Sequence, residues 1–298
     1  MPVKKFILLS LVSYSLILGG QVIAKEQGKR PIIVPGNFKT VEEAVKSARA
    51  GDVIFIREGI YEEKNGLRLK DKLELIGEGP DKTKIKVGRQ GIVAATDQGD
   101  LSNIIIKNLS LELESESVRL FGVNGFLLQN CVVTSNGILP CIEVNSSKNV
   151  QILNCTIANS WTGLSITYGP VELTIRNSIF YNNETGIRVS DSPMSGDTRG
   201  ISPELLEAER KKPRDDIKIS LFYNDFWNTR DCYNCNKGEF DISKDPEFID
   251  PKKPDFRLDP GSPCINAGDP SPRYKASDGS RKNMGAFPFN DKNKNKIY

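Results

Sequence analysis

Histidine does not occur anywhere in the 298 residues. A protein metal centre as a rule takes four ligands, and without imidazole the pair in Cys232-Tyr-Asn-Cys235 lacks the partners it would need. A surplus of one charge sign is missing too, since 41 Lys and Arg stand against 38 Asp and Glu. That balance gives no electrostatic reason to expect a nucleic-acid partner. Past the N-terminal segment no apolar run reaches about 18 residues, so no membrane span is expected in the body of the chain. The regular leucine and asparagine frame of a leucine-rich repeat is also absent.

The N-terminal segment is different. A basic start (Met1 to Lys5), an apolar stretch (Phe6 to Gly20) and Val22-Ile-Ala24 form the three parts of a secretory signal peptide. Cleavage after Ala24 removes Lys4 and Lys5 and leaves 39 basic against 38 acidic residues. No Cys stands at the cleavage point, which argues against a lipid anchor. The expectation is a leader over 1–24 and one domain over 25–298, in a secreted, periplasmic or cell-surface protein.

What the chain does have is one short phrase written repeatedly. Asn103-Ile-Ile-Ile-Lys-Asn108, Gly125-Phe-Leu-Leu-Gln-Asn130, Asn149-Val-Gln-Ile-Leu-Asn154 and Val171 to Asn177 are variants of it, and their closing asparagines lie 22, 24 and 23 residues apart. A fifth copy, Ile217 to Asn224, ends 47 residues later, about two periods. Each copy is too short for two helices and a connection, and its apolar residues alternate. The arrangement that fits is a coil of two or three short strands per turn, stable only when each turn stacks on its neighbours. The fold class expected is all-β: a single-stranded right-handed parallel β-helix of eight to ten turns with a short N-terminal capping helix. The closing asparagines read as structural, tolerating a left-handed backbone at the bends and bonding amide to amide along the stack.

A second ladder runs through Ser117 to Leu120, Cys141 to Val144, Gly163 to Ile166 and Gly186 to Val189. Strand alternation with Ile142, Leu164 and Ile187 inward sends Arg119, Glu143, Ser165 and Arg188 outward. Near the N-terminus, Thr40-Val-Glu-Glu43 is a capping box, and Val41, Ala44, Val45 and Ala48 form one apolar stripe. A helix there, within a cap over about 38–50, would cover the open end of the coil. After Val189 an insertion over 191–216 breaks the period. Ser202-Pro-Glu204 within it reads as a helix start. From about 225 to 298 the chain is rich in Asp, Pro and Gly and is expected to close the far end as irregular loops.

Among the cysteines, Cys131 and Cys155 should stack one turn apart, as free thiols or as a disulfide. Cys232 and Cys235 suggest a small disulfide in a polar loop. Cys141 and Cys264 have no assignable partner.

The whole mature chain resembles right-handed parallel β-helix proteins of the pectin-lyase-like superfamily. The N-terminal segments Phe38 to Val45, Ala50 to Ile56, Gly59-Ile-Tyr61 and Leu75 to Gly79 look like the start of many pectinesterase- and pectate-lyase-like repeats. Asp245-Pro-Glu-Phe248, Asp255 to Leu258, Gly261 to Gly268 and Asn283 to Phe287 are similar to the ending of bacterial secreted β-helix proteins, most of them without an assigned activity. The resemblance implies the fold and leaves the chemistry open. The Gly-His-Gly segment of a polygalacturonase is excluded by the missing histidine, and no pectinesterase site segment is present.

Two readings follow for function. In the first, the protein is a secreted β-helix module that binds a polysaccharide or acts as a non-catalytic envelope or surface protein. In the second it is a calcium-assisted, pectate-lyase-like enzyme acting by β-elimination on a uronate polymer, with Arg188, Arg119 and Glu143 as catalytic candidates. Ser165, Trp161, Tyr168 and Tyr181 are the sugar-contacting candidates. Asp191, Asp197, Asp215 and Asp216 are the carboxylates that would hold calcium, the one cofactor the residue types suggest.

Overall fold

The computed structural model describes residues 16–18, 21–23, 31–95, 101–190, 216–276 and 278–288, together with Glu204 and Glu207. Residues 1–31 and 32–298 separate into two units. In the first, Leu16–Leu18 and Gln21–Ile23 form an antiparallel pair. The rest of the expected leader lies outside the described residues, as does the expected insertion helix apart from Glu204 and Glu207, which are helical.

The second unit is a parallel coil with three strands per turn. The first sheet contains Ile32–Val34, Val53–Ile56, Glu74–Gly77, Leu101–Lys107, Val123–Gln129, Lys148–Leu153, Val171–Arg176 and Ile217–Phe222. The second contains Gly59–Glu63, Thr83–Val87, Ser110–Leu113, Val132–Ser135, Thr156–Ala158, Ile179–Tyr181 and Asp225–Trp227. The third contains Leu67–Arg68, Ile92–Ala94, Val118–Phe121, Ile142–Asn145, Thr162–Ile166, Thr185–Val189 and Arg230–Tyr233. These make seven complete coils, I to VII, fewer than the eight to ten expected, because the C-terminal segment does not go on coiling.

Alternation decides the interior. Phe126, Val150 and Leu173 stack in register from the first sheet, Val133, Ile157 and Phe180 from the second, and Ile142, Leu164 and Ile187 from the third. All are 2% exposed or less, and each contributes about 1.5–3 kcal/mol through burial. Gly163 shows how tight the stack is. A Cβ there would meet the Gly186 carbonyl at 2.7 Å and the Phe180 ring at 2.8 Å.

The bends work as the sequence suggests, with one slip. Asn108, Asn130, Asn154 and Asn177 all have φ between 51° and 58°. Asn130 donates to Asn108 Oδ1 at 3.0 Å. On coil VII the left-handed residue is Tyr223 (φ 56°), because Phe222 pairs with Arg176. Asn224 therefore sits one place further on. It is fully buried, accepts the Ser178 N–H at 3.0 Å and donates to the Ile175 carbonyl at 3.1 Å. A second asparagine ladder, not anticipated, turns the second corner, where Asn182 donates to Asn159 Oδ1 at 2.8 Å.

Helix α1 (Val41–Ser47) covers the first coil. Its capping box is formed in both directions by Thr40 and Glu43, and Val41, Ala44 and Val45 are buried. Glu63, from the second sheet, accepts the Val41 and Glu42 N–H groups at 2.8 and 3.0 Å.

The C-terminal segment does two things. Residues up to Ile242 pass over coil VII, where Ile242 bridges to Asp225 and Phe240 stacks on Tyr223 at 4.8 Å. The chain then returns along the outside of the second sheet instead of staying at the end of the column. Phe256, Ala286, Phe248 and Phe287 pack on the outward Val132, Ala158 and Tyr181. Gly285 N–H donates to the Asn177 carbonyl, Asn154 to the Asn283 carbonyl and Ala286 N–H to Thr156. The reason lies in the second sheet, whose outer face carries small and apolar residues that need a cover.

Candidate functional site

The outer face of the third sheet carries the expected ladder. Register pairs Arg119 with Glu143, Glu143 with Ser165, Ser165 with Arg188, and Arg188 with Tyr233. Rungs are spaced by about 4.8 Å, so Arg119 and Arg188 stand roughly 14 Å apart.

The lower rungs are not an open face. Arg119 is 1% exposed and donates to the Gln90 carbonyl at 2.6 Å and to Glu116 at 3.3 Å. Ser165 is buried, Glu143 half-buried, and Tyr168 packs with Val93, Ala95 and Phe121 in a separate outer cluster. Alternation fixed the direction of these side chains but carried no information about burial. Arg119, Ser165 and Tyr168 are therefore corrected from surface contacts to packed groups.

The upper end is different. The Arg188 guanidinium lies over the Tyr233 ring, 5.0 Å from its centroid, and donates to Ser190 Oγ at 3.3 Å. Its Nε finds no hydrogen-bond partner among the described residues. Arg230 approaches the same ring at 5.6 Å. Tyr233 is 36% exposed. Two cations thus flank one aromatic plate, each favoured by the ring quadrupole. Tyr233 and Arg230 were missed in the sequence. The signal was there, because Tyr233 falls two periods after Arg188, but the insertion hid the register.

Of the other aromatic candidates, Trp161 is open to solvent at 52%. Tyr181 is not available to a sugar. It packs edge-on to Phe248 at 5.1 Å and Phe256 at 6.4 Å, and burial raises its hydroxyl pKa. Trp227, next to it in register and exposed, was not singled out.

Asp191, Asp197 and Asp215 lie outside the described residues. Asp216 is exposed, and its carbonyl accepts the Val171 N–H at 3.1 Å. Among the described residues no three of Cys, Asp and Glu come together in a way that would hold a metal ion, and no helix is long and apolar enough to cross a membrane.

All six cysteines are free thiols. Cys131 and Cys155 stack in the core, and burial pushes Cys131 up to about 12. Cys141 is buried to the same effect, and Cys264 donates to Asp225 Oδ2 at 3.2 Å. Cys232 and Cys235 are two free, partly buried thiols here, not the disulfide expected. A cavity of about 490 Å³ adjoins them, lined by Val189, Ser190, Ile217, Ile219, Cys235 and the asparagines at 234 and 236.

A family model described as right-handed beta helix region matches residues 73–195. The fold is accordingly a right-handed parallel β-helix solenoid, and that class is what the coil and its sites define. No curated protein matched the chain. Among solved structures it is similar to ORF18 of Geobacillus virus E2, with a TM-score of 0.47 and 13% identity over 72% of this chain and 58% of that one. It is also similar to the family 28 exopolygalacturonase of Yersinia enterocolitica, with a TM-score of 0.34 and 13% identity over 70% of this chain and 55% of that one. A pectin methylesterase mutant in complex with a hexasaccharide gives a TM-score of 0.26 and 13% identity over 70% of this chain and 82% of that one. The chain spans a little over half the length of the first two.

Proposed function

We propose that this is an exported, non-catalytic β-helix module, secreted, periplasmic or held at the cell surface, that binds an acidic polysaccharide at the upper end of its third sheet. The observation that supports this reading is the pair of guanidinium groups, Arg188 and Arg230, around the half-open Tyr233 ring. An acidic sugar has a carboxylate for the guanidinium forks and an apolar ring face for the aromatic plate. Exposed Trp161 offers a further plate nearer the second corner.

Calcium-assisted β-elimination is the competing reading and draws less support. Arg119 is tied to Glu116 and Gln90, and Arg119, Glu143 and Arg188 occupy separate rungs instead of converging on one carbon.

The test is affinity electrophoresis or glycan-array binding with acidic and neutral polysaccharides. The expected outcome is retention by an acidic polymer, weakened about tenfold by Arg188→Gln or Tyr233→Ala, as for the loss of one charge-assisted or stacking contact. Release of unsaturated uronate from any polymer, with or without calcium, would overturn the non-catalytic reading. Equal binding by both variants would remove the site.

A further inference from the structure

The Cys232–Cys235 pair takes no part in the binding reading and packs on the upper end of the core. Cys232 lies on the last strand of the third sheet and pairs with Ile187, so its side chain continues the inward stack of Ile142, Leu164 and Ile187. Two residues later Asn234 takes a left-handed φ of 54°, and its amide donates to the Val189 carbonyl at 3.2 Å. That turn carries the chain back over the strand it has just left. Cys235 comes to lie with its sulfur donating to the Ile187 carbonyl at 3.6 Å, on the residue with which Cys232 pairs. Cys235 lines the cavity beside Ser190 and the two asparagines, and Cys232 does not. The other four sulfurs, those of Cys131, Cys141, Cys155 and Cys264, belong to residues that are 0% exposed.

We propose that Cys232 and Cys235 are a redox-active dithiol, in which Cys235 attacks a small polar disulfide entering the cavity and Cys232 resolves the mixed disulfide. The Cys235 thiolate bonds to one sulfur of the incoming disulfide, whose sulfur–sulfur bond breaks, and one thiolate leaves and takes a proton. Cys232 then gives up its proton and attacks the Cys235 sulfur. The bond between Cys235 and the small molecule breaks, and the second thiol is released. In sum the protein loses two protons and two electrons, and one small disulfide takes them up to become two thiols. The hydrogen bond from Cys232 holds the Cys235 thiol below its ordinary range and pushes Cys232 up, in keeping with these roles. The hydroxyl and amide groups on the cavity wall suit a peptide-like disulfide, and oxidised glutathione is the probe.

The full chain, reduced and freed of reductant, is incubated with oxidised glutathione and examined by intact-mass and peptide mass spectrometry. Wild type is expected to lose two hydrogens, with the link mapped between Cys232 and Cys235 and no glutathione retained. Cys232→Ser should retain one glutathione on Cys235, and Cys235→Ser should retain none on the same timescale. Alkylation of unmutated protein supplies a check that does not depend on variant folding. Cys235 should react about a hundredfold faster than Cys131, Cys141, Cys155 or Cys264, which need local opening first. Six equal rates, a wild type that stays reduced, or glutathione held on Cys232 would each overturn the proposal.

Discussion

Asp225 carries a pH dependence at the scale of one side chain. It is 0% exposed, accepts the Lys244 N–H at 3.0 Å and the Cys264 thiol at 3.2 Å, and burial raises its pKa to about 6. Its unfolded value is near 3.9. A carboxyl raised on folding favours the folded state while protonated. The contribution is complete below about pH 4 and is lost as pH rises through about 6, a swing of about 3 kcal/mol. Asp225→Asn should flatten the fall in urea midpoint between pH 4.5 and 7.5, and an unchanged slope would refute it. Asp241 and Glu63, also raised by burial, contribute in the same direction and remain in the variant. Individual residues were the least legible part of the sequence. The outward direction of Arg119 followed from its neighbours, but whether an outward residue meets solvent depends on segments far away in the chain. Asn224 looked like a bend residue and is instead a buried bridge between coils, because one added residue displaced it from the repeat.

Among the elements, the C-terminal segment is tied to the coils by a buried ion pair as well as by its packing. Arg176 bonds to Asp269, and its guanidinium lies between Phe222 at 4.2 Å and Tyr274 at 4.3 Å. Removing one partner leaves the other charge buried, at a cost of about 3–5 kcal/mol. Asp269→Ala should therefore lower the urea midpoint sharply and expose the 256–287 region to protease before the coils open. Protease resistance equal to wild type would show that the pair does not hold the segment. The first sheet was readable from its long apolar strands, and the third from the recurring Ile142-Glu-Val144, Leu164-Ser-Ile166 and Ile187-Arg-Val189. The second was not, because its strands run to only three residues at Thr156–Ala158 and Ile179–Tyr181, too few for alternation to show. The return of the segment from Phe248 to Phe287 was hidden for a related reason. Their Pro and Asp content marks loops but does not say which surface the loops cover.

At the scale of the whole column, the strands of each coil pair only with those of the coils next to it, so stability should vary along its length. Hydrogen exchange should be slowest in the first-sheet strands Val123–Gln129, Lys148–Leu153 and Val171–Arg176, which have paired strands on both sides. It should be fastest at Ile32–Val34 and Ile217–Phe222, the sheet's two outer strands. Uniform exchange would mean that the column opens as one unit. The architecture itself was the most legible feature, because a period near 23 residues has few physical solutions and the Ile142, Leu164 and Ile187 register fixes the phase.

The return of the C-terminal segment also sets an order of assembly during translation. Coils I to III can close once the strands of coil IV have left the ribosome, since their strand partners lie no further along the chain. Coils IV to VI wait for the end of the message: Val132, Thr156 and Asn177 face water until Phe256, Ala286 and Gly285 have been synthesised. A stop codon or frameshift after residue 240 would thus strip the middle of the column of its cover while leaving every repeat intact.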